Sequence, residues 1–103
     1  MKNLTLENIA RVCGGTYYGP ADKLQEEVMS VITDSRKADK DCLFVPIVGE
    51  RVDAHKFIPQ VMAAGALATL SERVLEQADF PYIVVESSLQ AVKDIAEFYR
   101  SML

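Results

Sequence analysis

Hydrophobic residues in this chain fall into short runs that alternate between strand spacing and helix spacing. Val28–Thr33 is rich in β-branched residues, and Cys42–Val48 and Tyr82–Glu86 are almost continuously apolar. A continuous apolar run of this length is typical of a strand that is covered on both faces. The last segment, Ser87–Leu103, instead places apolar residues three and four positions apart, as on one face of a helix. This alternation predicts an α/β fold in which a small mixed sheet is packed with helices.

Two of the predicted helices carry sequence signals at their ends. Thr5 can cap a first helix, and Gly14 and Gly15 can end it, because glycine readily adopts the left-handed conformation. Ser87 and Gln90 have the spacing of a capping box at the start of the last helix. Both helices therefore have local reasons to begin where the pattern predicts.

Two prolines restrict the middle of the chain. Pro46 lies inside the apolar run Cys42–Val48 and cannot donate to a strand ladder, which predicts an edge position or a bulge there. Pro59 lies in a helical pattern from His55 to Ala66 and is compatible with it only in the first turn. The other predicted elements are two strands and one short helix: Thr16–Gly19, Leu67–Ser71 and Glu72–Ala78.

Composition and charge exclude some classes of function. The 103 residues suffice for one small domain, and half of them are hydrophobic, which is too many for a disordered chain. The formal charge is −4, and no stripe of Lys and Arg is present that could displace counterions from nucleic acid. The segment Ile32–Phe57 holds five acids and five bases, so the net negative charge lies outside it and an anionic ligand can approach it. We therefore expect no nucleic-acid partner.

The cysteines and the hydropathy pattern favour a reduced, cytoplasmic protein. Cys13 and Cys42 are far apart and show no CxxC spacing, so neither a disulfide framework nor a zinc site is expected. A thiol-based redox domain would require these two cysteines to be neighbours in the fold. We see no signal peptide and no apolar run long enough to cross a bilayer.

Hydrogen-bonding groups crowd both ends of the apolar run Cys42–Val48. Those before it are Thr33, Asp34, Ser35 and Arg36, and those after it are Gly49, Glu50, Arg51, Asp53 and His55, the only histidine. Asp34 and Asp53 are of the residue type that forms acid–base pairs, but neither a nucleophile nor a metal partner accompanies them. We therefore expect a binding site here, with no catalytic residue and no metal ligand.

Together these motifs resemble a known family. "TDSRK", "LFVPIVGERVDAHKFI", "AAGALATL" and "PYIVVESSLQAVKDIAEFYRSML" follow one another as they do in the N-terminal domain of the Mur ligases. The resemblance runs from Leu4 to the last residue. "GER" and "IAEFYR" favour the MurF branch, which adds D-alanyl-D-alanine, and the MurE branch, which adds the third amino acid of the peptide, is the alternative.

The resemblance implies an ATP-dependent ligase of peptidoglycan synthesis with three domains. In that family, ATP activates the carboxylate of a UDP-MurNAc-peptide as an acyl phosphate, and an amine then forms the amide. Since this chain contains neither GxxxxGK[ST] nor GxGxxG, ATP and Mg²⁺ would bind to a central domain that begins just after Leu103. Residues 1–103 would then be the UDP-binding domain, inactive by itself and without a cofactor. Its partners would be the UDP-MurNAc-peptide and the central ATPase domain of the same chain.

The resemblance also implies a set of UDP-binding residues on the two loops. It assigns a uracil contact to Ser35, with help from Thr33, and a contact with the uracil or ribose to Glu50. Gly49 would let the backbone approach the diphosphate, and Arg51 would bind phosphate oxygens in a fork. The helix that follows this loop would offer its N-terminus to the diphosphate.

Arg36, Asp53 and His55 complete the implied UDP-binding set, but each has a structural alternative. Arg36 can pair with Asp34 at the surface, Asp53 can cap the helix, and His55 can be a satisfied structural histidine. A regulatory or protein-interaction module of the same fold is a further alternative, since similar small domains occur in the bacterial HPr kinase.

Overall fold

A mixed five-stranded sheet runs through the computed structural model, which describes residues 1–103. The strands are β1 (Thr16–Tyr18), β2 (Ser30–Ile32), β3 (Cys42–Phe44), β4 (Ala68–Ser71) and β5 (Tyr82–Val84). Their spatial order is β1-β5-β4-β3-β2. The strands β2 to β5 are parallel, and β1 is antiparallel to β5. The predicted α/β fold with a small mixed sheet is confirmed.

Helices cover both faces of this sheet. They are α1 (Leu6–Val12), α2 (Ile58–Ala63) and α3 (Ser88–Ser101), and three short 3₁₀ helices span Ala21–Lys23, Ser35–Lys37 and Ala54–Phe57. The first and third α-helices pack on one face, and α2 packs on the other. None of them combines the length and apolarity that crossing a bilayer requires.

Alternating residues of β3 show why its sequence is continuously apolar. Leu43 and Val45 join the core under α1 and α3, whereas Cys42 and Phe44 join the core under α2, and all four are fully buried. A strand covered on both faces cannot alternate apolar with polar residues. Cys13 packs against the first of these cores, so the two cysteines lie on opposite sides of the sheet and the redox alternative has no thiol pair.

The predicted caps are present, one of them in part. Thr5 Oγ1 accepts the backbone N–H of Asn8 at 3.1 Å at the start of α1. Ser87 Oγ likewise accepts the N–H of Gln90 at 3.1 Å at the start of α3. The reciprocal half of the capping box is missing, because the Gln90 amide donates instead to Asp94 at 3.0 Å.

Two predictions about local structure were wrong. Glu72–Ala78 is not helical. The hydroxyl of Tyr82 accepts the N–H of Leu75 and donates to its carbonyl, both at 3.1 Å. A side chain from β5 therefore satisfies the backbone groups of Leu75. Pro46 marks neither an edge nor a bulge, because β3 lies between β2 and β4 and the ladder has ended before this residue is reached. Pro59 does fall in the first turn of α2, as predicted.

The parallel strands bring four loops to one edge of the sheet. The carboxyl ends of parallel strands point the same way, so the segments that follow β2, β3, β4 and β5 leave from a common edge. We call it the carboxyl edge. In open α/β sheets, ligands bind outside this edge.

Candidate functional site

The two loops predicted to form the site begin side by side. β2 and β3 are adjacent and parallel, and the carbonyl of Ile32 accepts the backbone N–H of Val45 at 2.8 Å. Thr33 and Ser35 therefore leave the sheet next to the segment that leads to Gly49. The polar groups at the two ends of the apolar run in the sequence thus share the carboxyl edge.

The turn after β2 contains an ion pair between Arg36 and Asp34 and a hydroxyl group, that of Ser35, without a hydrogen-bond partner. Arg36 donates to Asp34 from Nε at 3.0 Å, from Nη2 at 2.9 Å and from its backbone N–H at 2.9 Å. The guanidinium beside Asp34 lowers the pKa of that carboxyl to about 2. The hydroxyl of Ser35, between them, takes part in none of these bonds and has no other partner within the protein. Ser35 therefore retains its full hydrogen-bonding capacity for a ligand.

The loop after β3 folds back as a tight hairpin. The N–H of Gly49 donates to the carbonyl of Val52 at 2.9 Å, and Val48 pairs with Asp53 in an antiparallel bridge. A Cβ on Gly49 would lie 3.2 Å from the Val52 carbonyl oxygen, so the position is tight. Glu50 and Arg51 form the exposed tip of this hairpin and have no ion-pair partner.

Asp53 caps the 3₁₀ helix that leads into α2. Its Oδ1 accepts the backbone N–H of His55 at 2.9 Å and lies 2.6 Å from Nδ1 of the same residue, and Oδ2 accepts from Arg73 at 3.3 Å. These hydrogen bonds, the backbone one first, lower the pKa of Asp53 to about 2. The carboxylate of Asp53 therefore occupies the N-terminus of this helix, where a diphosphate was expected to bind.

His55 is a buried and fully bonded side chain. Its residue surface is 4% exposed, Nδ1 meets Asp53, and Nε2 accepts the backbone N–H of Glu72 at 2.8 Å. The structural alternatives for Asp53 and His55 are confirmed, and no ring nitrogen of His55 is free for a ligand.

The residues that follow β4 also contact the candidate site, although none of them was among the predicted site residues. Glu72 Oε2 accepts the N–H of Ser88 at 2.7 Å, and Arg73 donates to Asp53, so this segment joins the loop after β3 to the start of α3. The sequence contained a signal, because Glu72 and Arg73 directly follow a predicted strand, and the end of a strand in a parallel sheet lies at the carboxyl edge. The erroneous helix over Glu72–Ala78 concealed it.

A broad surface cleft lies elsewhere on the molecule. It has a volume of about 620 Å³ and opens at the opposite, amino edge of the sheet, where its lining includes Lys23, Asp41, Met62 and Phe80. None of the predicted site residues lines it. The chain contains no group of three or more His, Cys, Asp or Glu side chains arranged to hold a metal ion. The candidate site is thus an exposed edge of loops, distinct from this cleft.

The chain is similar in sequence to ligases of one kind from different bacteria. No family model matches the chain. It is 35% identical over 97 residues to the UDP-N-acetylmuramoyl-tripeptide–D-alanyl-D-alanine ligase of Bacillus subtilis, covering 92% of this chain and 21% of that protein. The same ligase of Escherichia coli is 35% identical over 103 residues, covering all of this chain and 22% of its relative. This domain belongs to the Mur ligase family. The chain spans about a fifth of the length of these Mur ligases.

Other members of the Mur ligase family match over less of the chain or by structure. The UDP-N-acetylmuramoyl-L-alanyl-D-glutamate–2,6-diaminopimelate ligase of Bacillus cereus is 34% identical over 77 residues, covering 75% of this chain and 16% of that protein. A crystal structure of MurF from Acinetobacter baumannii superposes with a TM-score of 0.81 at 28% identity, covering 95% of this chain and 21% of its own. MurF from Thermotoga maritima in complex with ADP superposes with a TM-score of 0.58 at 30% identity, covering 65% and 16%. The fold is that of the MurF N-terminal domain.

Proposed function

We propose that this chain is the UDP-binding, N-terminal domain of a UDP-N-acetylmuramoyl-tripeptide–D-alanyl-D-alanine ligase. The observation that carries the proposal is the 35% identity to two such ligases over 92% and 100% of the chain. The diaminopimelate-adding ligase is the alternative, and its match covers 75% of the chain. In either enzyme, this domain would hold the UDP moiety of UDP-MurNAc-peptide during amide formation in the cytoplasm.

The uracil would lie against the turn after β2. A uracil edge presents one N–H donor between two carbonyl acceptors, so its recognition needs hydroxyl groups and backbone amides together. Ser35 supports this role because its hydroxyl has no partner within the protein, and Thr33 beside it is exposed. Glu50, at the tip of the adjacent loop, would contact the uracil or the ribose.

The diphosphate would lie against the loop tip, with Gly49 allowing close backbone approach. Arg51 is exposed and unpaired there, and Arg36 has its Nη1 free although Nε and Nη2 bind Asp34. Guanidinium groups bind phosphate oxygens in a planar fork. Asp53 and His55, which the sequence placed among the contacts, support the loop from behind in this arrangement, since their hydrogen bonds are used within the protein.

ATP and Mg²⁺ would bind to a central domain outside these residues. The sequence carries no GxxxxGK[ST] loop, and MurF from Thermotoga maritima, solved in complex with ADP, matches this chain over only 16% of its length. The chemistry that ATP supplies in such a ligase is activation of a carboxylate. The part of this domain would be limited to binding and orienting the UDP-linked substrate.

A titration of the ¹⁵N-labelled chain with UDP tests the proposal. We expect weak binding, because the carboxyl edge is open and neighbouring domains would supply further contacts. Amide shifts should concentrate at Thr33–Arg36 and Gly49–Arg51, and CDP, which differs from UDP in the base, should bind less well. Shifts confined to the cleft at the amino edge, or no saturable shifts at millimolar UDP, would overturn the site assignment.

An activity assay with different acceptor amines distinguishes the two kinds of ligase. The full-length enzyme that contains this domain should consume D-alanyl-D-alanine, and not diaminopimelate, together with ATP and the matching UDP-MurNAc-peptide. The opposite preference would establish the MurE alternative and leave the UDP site unchanged.

A further inference from the structure

One chain of hydrogen bonds joins three loops at the carboxyl edge. Its first link runs from the His55 ring to Asp53, with Nδ1 2.6 Å from Oδ1. The second runs from the backbone N–H of Glu72 to Nε2 of His55 at 2.8 Å, and the third from the N–H of Ser88 to Oε2 of Glu72 at 2.7 Å. The loop after β3 is thereby connected to the loop after β4 and to the first turn of α3.

His55 is the residue on which this connection depends. Because the N–H of Glu72 can only donate, Nε2 must carry no proton, and Nδ1 must hold the proton that is donated to Asp53. The neutral imidazole therefore donates at one end and accepts at the other. The ring is buried, so its orientation is fixed by the surrounding structure.

The hairpin loop Gly49–Val52 has few other anchors. One backbone hydrogen bond closes it, and one antiparallel bridge between Val48 and Asp53 supports its base. Val48 is 50% exposed and Val52 46% exposed, so core packing does not fix the direction in which the loop points. A segment with so few buried contacts opens easily unless its ends are held.

We propose that His55 is a positioning residue for the nucleotide site. Through Asp53 and Glu72 it holds the loop Gly49–Val52 in the orientation that meets a uridine diphosphate, and it does not touch the nucleotide itself. This inference rests on the proposed function of the carboxyl edge. We call the hydrogen bonds that join Asp53, His55 and Glu72 the tether. A loop that is already ordered loses less conformational entropy when a ligand binds, so the tether raises the affinity for the nucleotide.

Two conservative variants each cut one end of the tether. His55→Asn places its amide near the position of Nδ1 and retains the link to Asp53. His55→Gln reaches the position of Nε2 and retains the link to Glu72. We expect each to weaken UDP binding about fivefold, the effect of losing one hydrogen bond, while the variant chain stays folded. UDP affinity is measured from amide shifts, and the free energy of unfolding from urea titration.

A cap at the other end of the molecule provides the matched control. Thr5→Ala removes one hydrogen bond, from the N–H of Asn8, far from the carboxyl edge. It should lower the free energy of unfolding about as much as the His55 variants do, and leave UDP affinity unchanged. A purely structural role of His55 predicts that both His55 variants behave like this control, with unchanged UDP affinity, and that result would overturn the proposal.

The tether can also be tested without a ligand. His55 is the only histidine, so its ring ¹⁵N signals are unambiguous and should show a protonated Nδ1 and an unprotonated Nε2. Hydrogen exchange at Glu72 should be slow in the wild type and faster in His55→Asn; equal rates would overturn the tether. If the wild type bound no UDP, the proposed function would fail, and with it the role toward the nucleotide, whereas the slow Glu72 amide would still report the tether.

A surface variant covers the case in which the His55 variants do not fold. Asp53→Ala cuts the first link at a side chain that is 42% exposed, so no buried side chain is replaced. It should weaken UDP binding and speed hydrogen exchange at Gly49. Unchanged UDP affinity together with unchanged exchange at Gly49 would contradict the positioning role.

Discussion

Asp53 and His55 are joined through a single carboxylate oxygen. Oδ1 of Asp53 accepts the backbone N–H of His55 at 2.9 Å and lies 2.6 Å from Nδ1 of its ring. One side chain thus caps a helix and orients a buried imidazole at the same time. The pair lies behind the proposed UDP loop, and these hydrogen bonds favour the charged form of Asp53.

Acid should therefore weaken the domain through Asp53. The pKa of this carboxyl is lowered from 3.8 to about 2 by the hydrogen bonds from His55. A lowered pKa means that the stabilisation is present above pH 3.8 and is lost as the pH falls toward 2. Urea unfolding between pH 5 and pH 2 should show a shallower decline for Asp53→Asn than for the wild type. Asp79→Asn, which removes a carboxylate that makes no ion pair or hydrogen bond within the protein, should follow the wild type; identical curves for all three proteins would contradict this linkage.

Replacing Ser35 should weaken UDP binding and leave the stability of the domain almost unchanged. Its hydroxyl has no partner within the protein, so Ser35→Ala should change the free energy of unfolding by less than about 0.5 kcal/mol. Loss of a hydrogen bond to the uracil should weaken UDP binding about fivefold. Calorimetric or NMR titration beside urea unfolding measures the two effects. A destabilised variant with unchanged UDP affinity would mean that the hydroxyl serves the fold.

Both thiols should react slowly in the native protein. Burial and then the charge of Asp94 raise the pKa of Cys13 to about 12, and Cys42 is fully buried. Because the thiolate is the reactive form, a thiol reagent at pH 8 should label the folded chain at least about tenfold more slowly than the chain in urea. The denatured chain should show two reactive thiols. Rapid labelling of the native protein, or a disulfide between these residues, would refute the placement on opposite sides of the sheet.

Two neighbouring glycines should respond differently to alanine. A Cβ on Gly15 would lie 2.7 Å from Ile83 Cγ2 and 2.7 Å from the carbonyl oxygen of Val84, so Gly15→Ala should cost about 1–3 kcal/mol through overpacking. Gly14 has a φ of +63° and open space around its Cα, so Gly14→Ala should cost only about 1 kcal/mol of left-handed strain. Urea unfolding of both variants measures the difference. A larger loss for Gly14→Ala would reverse this ranking.

Local sequence signals predicted most elements because their causes are local. The Thr5 and Ser87 caps act within three residues of their own position, and the apolar runs of β3 and β5 report burial on both faces. Glu72–Ala78 was mistaken for a helix because the group that satisfies the backbone of Leu75, the Tyr82 hydroxyl, lies outside the segment, in β5. Pairing between distant residues leaves no periodic pattern in the segment itself.

Some features of the candidate site could likewise be predicted from the sequence, and others could not. The sequence by itself determined which two loops flank β3, which residue types they carry, and the family whose motifs they match. The Asp34–Arg36 pair and the Asp53 cap join residues two positions apart, and the sequence already offered both as alternatives. Only the tertiary structure decided that Glu72 reaches His55 from another loop. The physical reason is range: caps and burial patterns act between near neighbours in the chain. The parallel order of β2 to β5, which long-range packing selects, determines which loop ends meet at the carboxyl edge.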